Sequence, residues 1–230
     1  MKVSIVMPAF NEASGIGTVM RGLDKVLDDA EVIVVDDGSS DRTSEVARGM
    51  ADEVGYDLTV ITSPVNRGKG HAVRTGIGQS RGEIVCIQDA DLEYDPVDLP
   101  AILKPLINGE ADVVYGTRMA GNRVRRMHKF THYAANRVLS LLTSLLFNTT
   151  ITDMETGYKA FRGDLVRSFN LTSDDFRIEP ELTASVLRTP NLAMLEVPIT
   201  YMARTTKEGK KIGWGDGIKA VVAVIWFRFR

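Results

Sequence analysis

Short apolar runs alternate with longer segments of helical character between residue 2 and about residue 116. Apolar runs of this length that lack polar alternation are typical of strands buried on both faces. Strands that alternate with helices predict an α/β fold, in which helices cover both faces of a mostly parallel sheet. The predicted strands are residues 3–7, 32–35, 58–62, 84–88 and 113–115, and the predicted helices lie near residues 14–28, 41–53, 69–80 and 97–108.

The composition is that of a globular chain, since 44% of its 230 residues are hydrophobic and 25% are charged. A formal net charge of -2 argues against a general nucleic-acid-binding protein. The single cysteine, Cys86, lies in a predicted core strand, so we expect no disulfide framework and a reducing, cytoplasmic compartment. The apolar part of the amino terminus is too short for a signal peptide, and no run approaches the roughly 20 residues of a membrane-spanning helix.

Acidic side chains at Asp89, Asp91 and Glu93 follow the fourth predicted strand at alternate positions. Open α/β sheets bind ligands at the carboxyl ends of their strands, and hard divalent cations prefer carboxylate oxygens. The three acids are therefore candidate metal ligands, with substrate phosphates completing the coordination. The alternative is a solvated acidic loop, which is the commoner role of such a pattern.

Polar loops follow the other predicted strands. Asp37, beside Asp36, is placed to accept hydrogen bonds from a base or ribose, whereas Ser40 and Asp41 suit a helix cap. Residues 66–71 bring flexible backbone and cations to a helix amino terminus, where anions are stabilised, but they lack Walker spacing. No loop carries the G-x-G-x-x-G pattern, which disfavours a hydride-transferring dinucleotide enzyme.

Basic residues that could bind phosphate occur in two later loops. Arg118 ends the fifth predicted strand, where a guanidinium can bind phosphate oxygens through two hydrogen bonds; the alternative is a solvated surface arginine. The later loop contains Arg204, followed by Lys210 and Lys211 between two glycines. It could order around phosphates or remain an ordinary solvated turn.

Two segments of the carboxyl-terminal half have the pattern of amphipathic helices, near residues 124–148 and 215–229. The first begins with basic residues and ends in leucines, and it could simply pack on the sheet. Its composition nevertheless favours a membrane surface with anionic headgroups. The second is too short to span a bilayer but suits its surface. Residues 195–201 form a predicted late strand, which Pro198 places at an edge of the sheet.

Several motifs resemble, in identity and order, those of the GT-A glycosyltransferases of family 2; they are residues 8–12, 36–39, 66–70 and 89–91. Later segments resemble the polyprenyl-phosphate branch, the dolichol-phosphate mannose synthase-like enzymes; they are residues 155–159, 196–199 and 209–214. The resemblance covers nearly the whole chain. It implies one GT-A domain over residues 1–230, with a nucleotide-sugar-binding half at 1–118 and an acceptor half at 119–230.

The resemblance also implies the ligands and their binding residues. The ligands are a nucleotide-sugar donor and Mg²⁺ or Mn²⁺, which Asp89, Asp91 and Glu93 would bind. The acceptor is a polyprenyl phosphate at the cytoplasmic face of a membrane. A separate membrane protein is a possible partner. Asp91, Arg118 and Arg204 would be catalytic. One departure is Glu93, where the mannose synthases often carry Gln or another polar residue. The implied donor-binding residues are Pro8, Phe10, Glu12, Val35, Asp37, Asp89, Ala90, Asp91, Glu93, Arg118, Arg204, Lys210 and Lys211.

The expected reaction transfers mannose or glucose from GDP-mannose or a UDP-sugar to the polyprenyl phosphate, with inversion at the anomeric carbon. A phosphate monoester has a second pKa near about 6, so at neutral pH this nucleophile needs no strong general base. Two alternatives stay open. One is a saccharide or protein hydroxyl as acceptor, with Asp153 or Glu155 as the base. The other is a non-catalytic module that binds nucleotide sugars and is recruited to membranes.

Overall fold

A seven-stranded sheet forms the centre of the protein, whose computed structural model describes residues 1–120, 126, 130–204 and 214–230. The strands lie in the order β3-β2-β1-β4-β6-β5-β7. Only β6 runs antiparallel to its neighbours in this sheet of described residues, as the mixed, mostly parallel prediction requires. The strands are β1 Val3–Ala9, β2 Ala30–Asp36, β3 Asp57–Thr62, β4 Ile84–Ile87, β5 Val113–Thr117, β6 Lys159–Arg162 and β7 Met194–Pro198.

The helices begin and end close to the predicted positions, although most are shorter. Single turns of 3-10 helix, Met50–Asp52 and Pro96–Asp98, extend the second helix and precede the fourth. The Asp95 carboxylate accepts a hydrogen bond from the Val97 N–H at 3.0 Å and so caps the latter turn. The helices are α1 Ile16–Asp24, α2 Thr43–Gly49, α3 Lys69–Gln79, α4 Leu99–Ile107, α5 Phe130–Phe147, α6 Gly163–Ser168, α7 Ile178–Arg188 and α8 Trp214–Phe229.

Helices cover both faces of the sheet. In β1, Ile5 packs in a cluster with Met20 of α1 and Leu103 of α4. The next residue, Val6, packs in a different cluster with Val73 of α3 and with α7. Successive side chains of a strand point to opposite faces, so these two clusters lie on opposite sides of the sheet.

Strand β6 lies within residues 156–162, where the sequence predicts a turn and a short strand that could close the pocket, but its place between β4 and β5 was not predicted. Ala160 pairs with Cys86 on one side and with Val114 on the other. Because β6 runs against its neighbours, its first residue, Lys159, pairs with Ile87 at the end of β4. The residues just before β6 therefore reach the sheet edge where the acidic cluster lies.

The late part of the chain agrees with its predicted elements. Strand β7 is an edge strand that ends at Pro198, as the proline indicates. Helices α5 and α8 overlap the two predicted amphipathic helices. Apart from Arg126, the basic start of the first one, residues 124–129, lies outside the described residues. No helix in the described ranges combines the length and the apolarity needed to cross a membrane.

We expect Phe161→Ala to destabilise the fold strongly. Phe161 is fully buried between β4 and β5, and removing a buried phenyl ring typically costs about 3–5 kcal/mol. Phe130→Ala is the matched control, since that side chain is 77% exposed and should change stability by less than about 0.5 kcal/mol. Urea unfolding followed by circular dichroism measures both. Equal losses would contradict the assignment of Phe161 to the core.

Candidate functional site

A cavity of about 490 Å³ opens at the carboxyl ends of β1, β4 and β5, where open α/β sheets bind ligands. Val35, in contrast, is fully buried in β2 beside Ile33 and Ala72 and does not line the cavity. Lys210 and Lys211 lie outside the described residues. The other implied donor-binding residues all line the cavity: Pro8, Phe10, Glu12, Asp37, Asp89, Ala90, Asp91, Glu93, Arg118 and Arg204.

Asp91 carries the least compensated charge of the acidic cluster. Its carboxylate accepts a hydrogen bond from the Glu93 N–H at 3.1 Å. Burial, together with the carboxylates of Asp89 and Glu93, raises the pKa of Asp91 to about 7 despite the opposing effect of the Arg204 guanidinium. A divalent cation at this carboxyl would favour its ionised form, so the residue suits the implied metal.

The other two acids of the cluster already have partners. Lys69 Nζ lies 2.8 Å from Asp89 Oδ1. The Glu93 oxygens accept hydrogen bonds from the Tyr201 hydroxyl at 2.9 Å and from the Arg204 N–H at 2.6 Å. Across the described ranges, no three His, Cys, Asp or Glu side chains are grouped so that they could hold a metal ion.

The donor set therefore fits a cation bound by one or two carboxylates, with Asp91 the first choice. Mg²⁺ usually binds in this way, with substrate phosphates as further ligands. A metal ligated by all of Asp89, Asp91 and Glu93 stays a prediction. In the structure Glu93 instead holds the polypeptide around Tyr201 and Arg204 in place.

The segment before β6 passes directly beside the acidic cluster. A Cβ atom on Gly157 would lie 2.5 Å from Asp89 Oδ2 and 2.8 Å from the Tyr94 ring. The Gly157 N–H donates a hydrogen bond to the Tyr94 hydroxyl at 2.8 Å. Only glycine allows this approach without displacing the Asp89 carboxylate.

Arg204 joins the acidic cluster to the loop after β1. Its Nη1 and Nη2 atoms donate hydrogen bonds to the Glu12 carboxylate at 3.0 and 2.5 Å, while its backbone N–H donates to Glu93. The Met202 N–H donates to the Glu93 carbonyl oxygen at 2.9 Å. Residues 202–204 are thereby fixed along one side of the cavity, with a guanidinium in its lining.

Arg118 is held by a bidentate ion pair. Its Nε and Nη2 atoms each lie 2.7 Å from an oxygen of the buried Asp153 carboxylate, and its guanidinium lies 4.9 Å from the centroid of the Tyr201 ring. Burial alone would raise the pKa of Asp153, but Arg118 and the Asn136 amide hold it below its usual value. Asp153 is therefore a poor proton acceptor, which argues against it as a general base.

A chain of buried charges beneath Asp89 was not predicted. Lys69 Nζ also lies 2.9 Å from Glu179 Oε1 at the start of α7. The fully buried Lys159 donates a second hydrogen bond to Glu179. Burial would raise the pKa of Glu179, but the two ammonium groups lower it to about 2. The available sequence signal was a lysine directly between Tyr158 and Ala160, because a cation among such residues needs a partner in the core.

Asp37 organises the loop before α3. Its carboxylate accepts hydrogen bonds from the backbone N–H groups of Arg67 at 3.0 Å and Gly68 at 2.6 Å. The neighbouring Gly38 has φ 71°, and a Cβ atom there would lie 2.5 Å from the Val65 carbonyl carbon. The two loops are therefore tightly packed, and the predicted contact of Asp37 with a base or ribose stays a prediction.

Comparisons with known proteins agree with these motifs. A family model described as "Glycosyl transferase family 2" matches residues 4–169. The dolichyl-phosphate hexose transferase of Haloferax volcanii is 32% identical over 204 residues, which are 88% of this chain and 83% of that protein. The dolichol-phosphate mannosyltransferase of Pyrococcus furiosus is 28% identical, over 93% of this chain and 60% of that protein.

The dodecaprenyl-phosphate galacturonate synthase of Rhizobium johnstonii is 27% identical over 89% of this chain. The chain spans 60% of that protein, as it does of the Pyrococcus relative. Among solved structures, glucosyl-3-phosphoglycerate synthase from Mycobacterium tuberculosis, in complex with Mn²⁺, UDP-glucose and phosphoglyceric acid, superposes with a TM-score of 0.79. It is 20% identical, and the match covers 99% of this chain and 80% of that one. This likeness confirms the predicted GT-A fold.

We expect Asp91→Asn to stabilise the metal-free protein at alkaline pH. The folded-state pKa is raised from 3.8 to about 7, so the stability that this carboxyl contributes is present below about pH 4 and is lost as the pH rises through about 7. Three pKa units correspond to about 4 kcal/mol, of which we expect about 1–2 kcal/mol after solvent screening.

Thermal unfolding in a chelator at about pH 5 and about pH 8 measures the effect. The variant should exceed the parent protein in Tm at the higher pH, and the difference should shrink at the lower one. Asp52→Asn, at an exposed position, is the control and should alter neither. A lower Tm of the Asp91 variant at alkaline pH would show that its carboxylate is well compensated.

Proposed function

This chain belongs to glycosyl transferase family 2, and we propose that it transfers a sugar from a nucleoside diphosphate sugar to a polyprenyl phosphate. One observation carries the proposal: a single cavity joins Asp91, the least compensated acid of the cluster, to a wall of α5 and α8 in which Ala135, Leu139 and Ala220 are apolar. The side that carries Asp91 suits a metal and a diphosphate, and the side formed by α5 and α8 suits a lipid. The relatives named for transfer to dolichol or dodecaprenyl phosphate support the same pair of substrates.

The donor would lie along the carboxyl ends of β1, β2 and β4. Its diphosphate would face Asp91, and bound Mg²⁺ or Mn²⁺ would supply Lewis-acid stabilisation of the charge that develops on the leaving group. The Arg204 guanidinium lines the same side and is fixed by Glu12, so it would need little reorganisation to stabilise that charge. Its fixed position, rather than its charge alone, makes it suitable for this role.

The acceptor phosphate would lie near Arg118. This arginine lines the cavity between the acidic cluster and α5, and Asp153 fixes its side chain. A guanidinium in a cavity wall is a group that binds phosphate oxygens well, which suits Arg118 to an acceptor phosphate. The polyprenyl chain would then leave along the apolar wall, to which Leu139 and Ala220 contribute.

A phosphate nucleophile also suits the carboxyls of this site. Transfer to a hydroxyl requires a base. Of the two candidates, Asp153 is unsuited because its oxygens are bound by Arg118 and Asn136, whereas Glu155 stays a prediction. A polyprenyl phosphate is already mostly dianionic at neutral pH. It requires cations to hold it beside the donor diphosphate, and the cavity lining offers Arg118, Arg204 and Lys69.

We further propose that α5 and α8 rest on the cytoplasmic face of a membrane. The two helices pack against each other, α8 also packs against α7, and both expose apolar side chains on another side. An exposed apolar surface on neighbouring helices, with Arg228 at the carboxyl end of both, suits the boundary between headgroups and acyl chains. The exposed side chains are Phe130, Val138, Leu141 and Leu145 of α5, and Val222, Ile225, Trp226 and Phe229 of α8.

Transfer to lipid can be tested directly. The protein is incubated with Mn²⁺ or Mg²⁺, a short polyprenyl phosphate and a panel that includes GDP-mannose and UDP-glucose, and lipid-extractable sugar is measured. We expect a product with at least one donor, and Asp91→Asn should lower the rate by about 100-fold or more because charge stabilisation at the leaving group is lost. Asp52→Asn should retain the rate. Donor binding without product from any lipid phosphate would overturn the proposal.

Contact of α5 and α8 with a membrane can be tested separately. Leu145→Asp and Trp226→Asp place charges at positions that are 73% and 62% exposed, and each should lower binding to anionic lipid vesicles by about 10-fold or more. Val97→Asp is the control, since it changes a 59% exposed residue beside α4. Sedimentation with vesicles measures binding. Equal effects at all three positions would show that α5 and α8 are not the contact surface.

A further inference from the structure

Glu155 has a buried oxygen that lacks a donor. The residue lies in the segment before β6 and lines the cavity. Its Oε1 atom has no hydrogen-bond partner among the described residues and is shielded from solvent. A buried acceptor left unsatisfied costs about 1–3 kcal/mol. Such an atom in a cavity wall is available to accept a hydrogen bond from a bound ligand.

The cations near Glu155 are bound to other acids. Lys159 donates to Glu179. Lys69 bridges Asp89 and Glu179, at 2.8 and 2.9 Å. The third cation in its vicinity, Arg118, forms the bidentate pair with Asp153 described above. Each of these side chains is thus directed at a carboxylate other than Glu155.

Asn136 offers a second unsatisfied acceptor in the same cavity. Its Nδ2 atom donates a hydrogen bond to Asp153 Oδ1 at 2.7 Å. Because an ionised carboxylate can only accept, this contact fixes which end of the amide faces Asp153. The Asn136 Oδ1 atom is buried and, within the described part of the chain, has no donor. Acceptors from α5 and from the segment before β6 therefore line one cavity.

We propose that Glu155 and Asn136 form a subsite that accepts hydrogen bonds from hydroxyl groups of the donor sugar, so that the site selects a neutral hexose and rejects a uronic acid. The inference rests on the proposed function. A hexose presents several O–H donors, whereas the carboxylate of a uronic acid presents only acceptors and a repelling charge. A phosphate dianion likewise presents only acceptors, so it cannot supply the missing donors to Glu155 Oε1 and Asn136 Oδ1, whereas sugar hydroxyls can.

The overall charge of the lining supports this selectivity. Carboxylates outnumber cations among the described residues around the cavity, so a further negative charge is unfavourable away from a bound metal. The acids are Glu12, Asp37, Asp89, Asp91, Glu93, Glu155 and Glu179, and the cations are Lys69, Arg118 and Arg204.

Calorimetry in Mn²⁺ at about pH 8 tests the subsite with Glu155→Gln, which keeps the shape and removes the charge. Burial and Glu179 raise the pKa of Glu155 to about 7, so this pH keeps the carboxyl ionised. The affinities of the parent protein for UDP and GDP are compared first, and the nucleotide that binds more tightly is used for all the sugar conjugates. We expect the variant to bind the nucleoside diphosphate unchanged and its hexose conjugate about 10-fold more weakly, a loss of about 1.4 kcal/mol.

Sugar analogues make the test specific. The parent protein should bind the nucleotide uronate at least about 10-fold more weakly than the hexose, and Glu155→Gln should narrow that gap to about 3-fold. A donor that lacks the contacted hydroxyl should bind the parent protein more weakly than the full sugar does. It should bind the parent protein and Glu155→Gln with the same affinity, because the Glu155 carboxylate and that hydroxyl act as a coupled pair. Glu45→Gln, at an exposed position of α2, should behave as the parent protein in every comparison.

Three results would overturn the inference. The first is a Glu155→Gln variant that binds the nucleotide sugar as tightly as the parent protein does but no longer transfers the sugar. That result would make Glu155 a general base. The second is an equal loss for the nucleoside diphosphate alone, which would indicate a structural role. The third is retention of the full discrimination against the uronate. Sugar-dependent binding without transfer to lipid would instead count against the proposed function and leave the subsite intact.

Discussion

Compensation of buried charge at the carboxyl edge of the sheet is the constraint on which the site depends. Asp89 in the cavity wall pairs with Lys69, and Lys69 is in turn held by Glu179. Glu179 also binds the buried Lys159 of β6. Removing one member of such a chain leaves an unpaired charge in a low-dielectric environment, which is far costlier than the net contribution of the intact pairs. The network therefore couples the acidic loop, α3, α7 and β6 into one rigid support.

The βαβ half of the fold could be predicted because its information is local. Apolar runs, helical segments and the Asp95 cap give the elements almost in place, and the edge position of β7 follows from Pro198. The position of β6 could not be predicted, because pairing between Ala160 and Cys86 depends on contacts between residues distant in the chain. A four-residue strand carries too little pattern to show its neighbours or its direction.

The same distinction applies to the site. The residues implied by motif mostly reach one cavity, because loops after parallel strands meet at one edge. Their partners could not be read from the sequence. Tertiary packing decides that Glu93 binds Tyr201 and Arg204 and that Asp153 holds Arg118. It also decides that Val35 lies in the core and not in the lining of the cavity. Asp91 thus differs from its neighbours through environment alone, a difference that a D-x-D pattern does not express.

The antiparallel insertion of β6 has a consequence for how the chain acquires its structure. As synthesis proceeds, β1 to β4 emerge first, and one side of β4 has exposed backbone groups until residues 159–162 become available to pair with it. Closing that gap requires contacts of long sequence separation, which form slowly. The side of the cavity that carries Glu155 is therefore completed only once β6 has paired, and a nascent chain that ends before β6 presents an unpaired strand edge to other molecules.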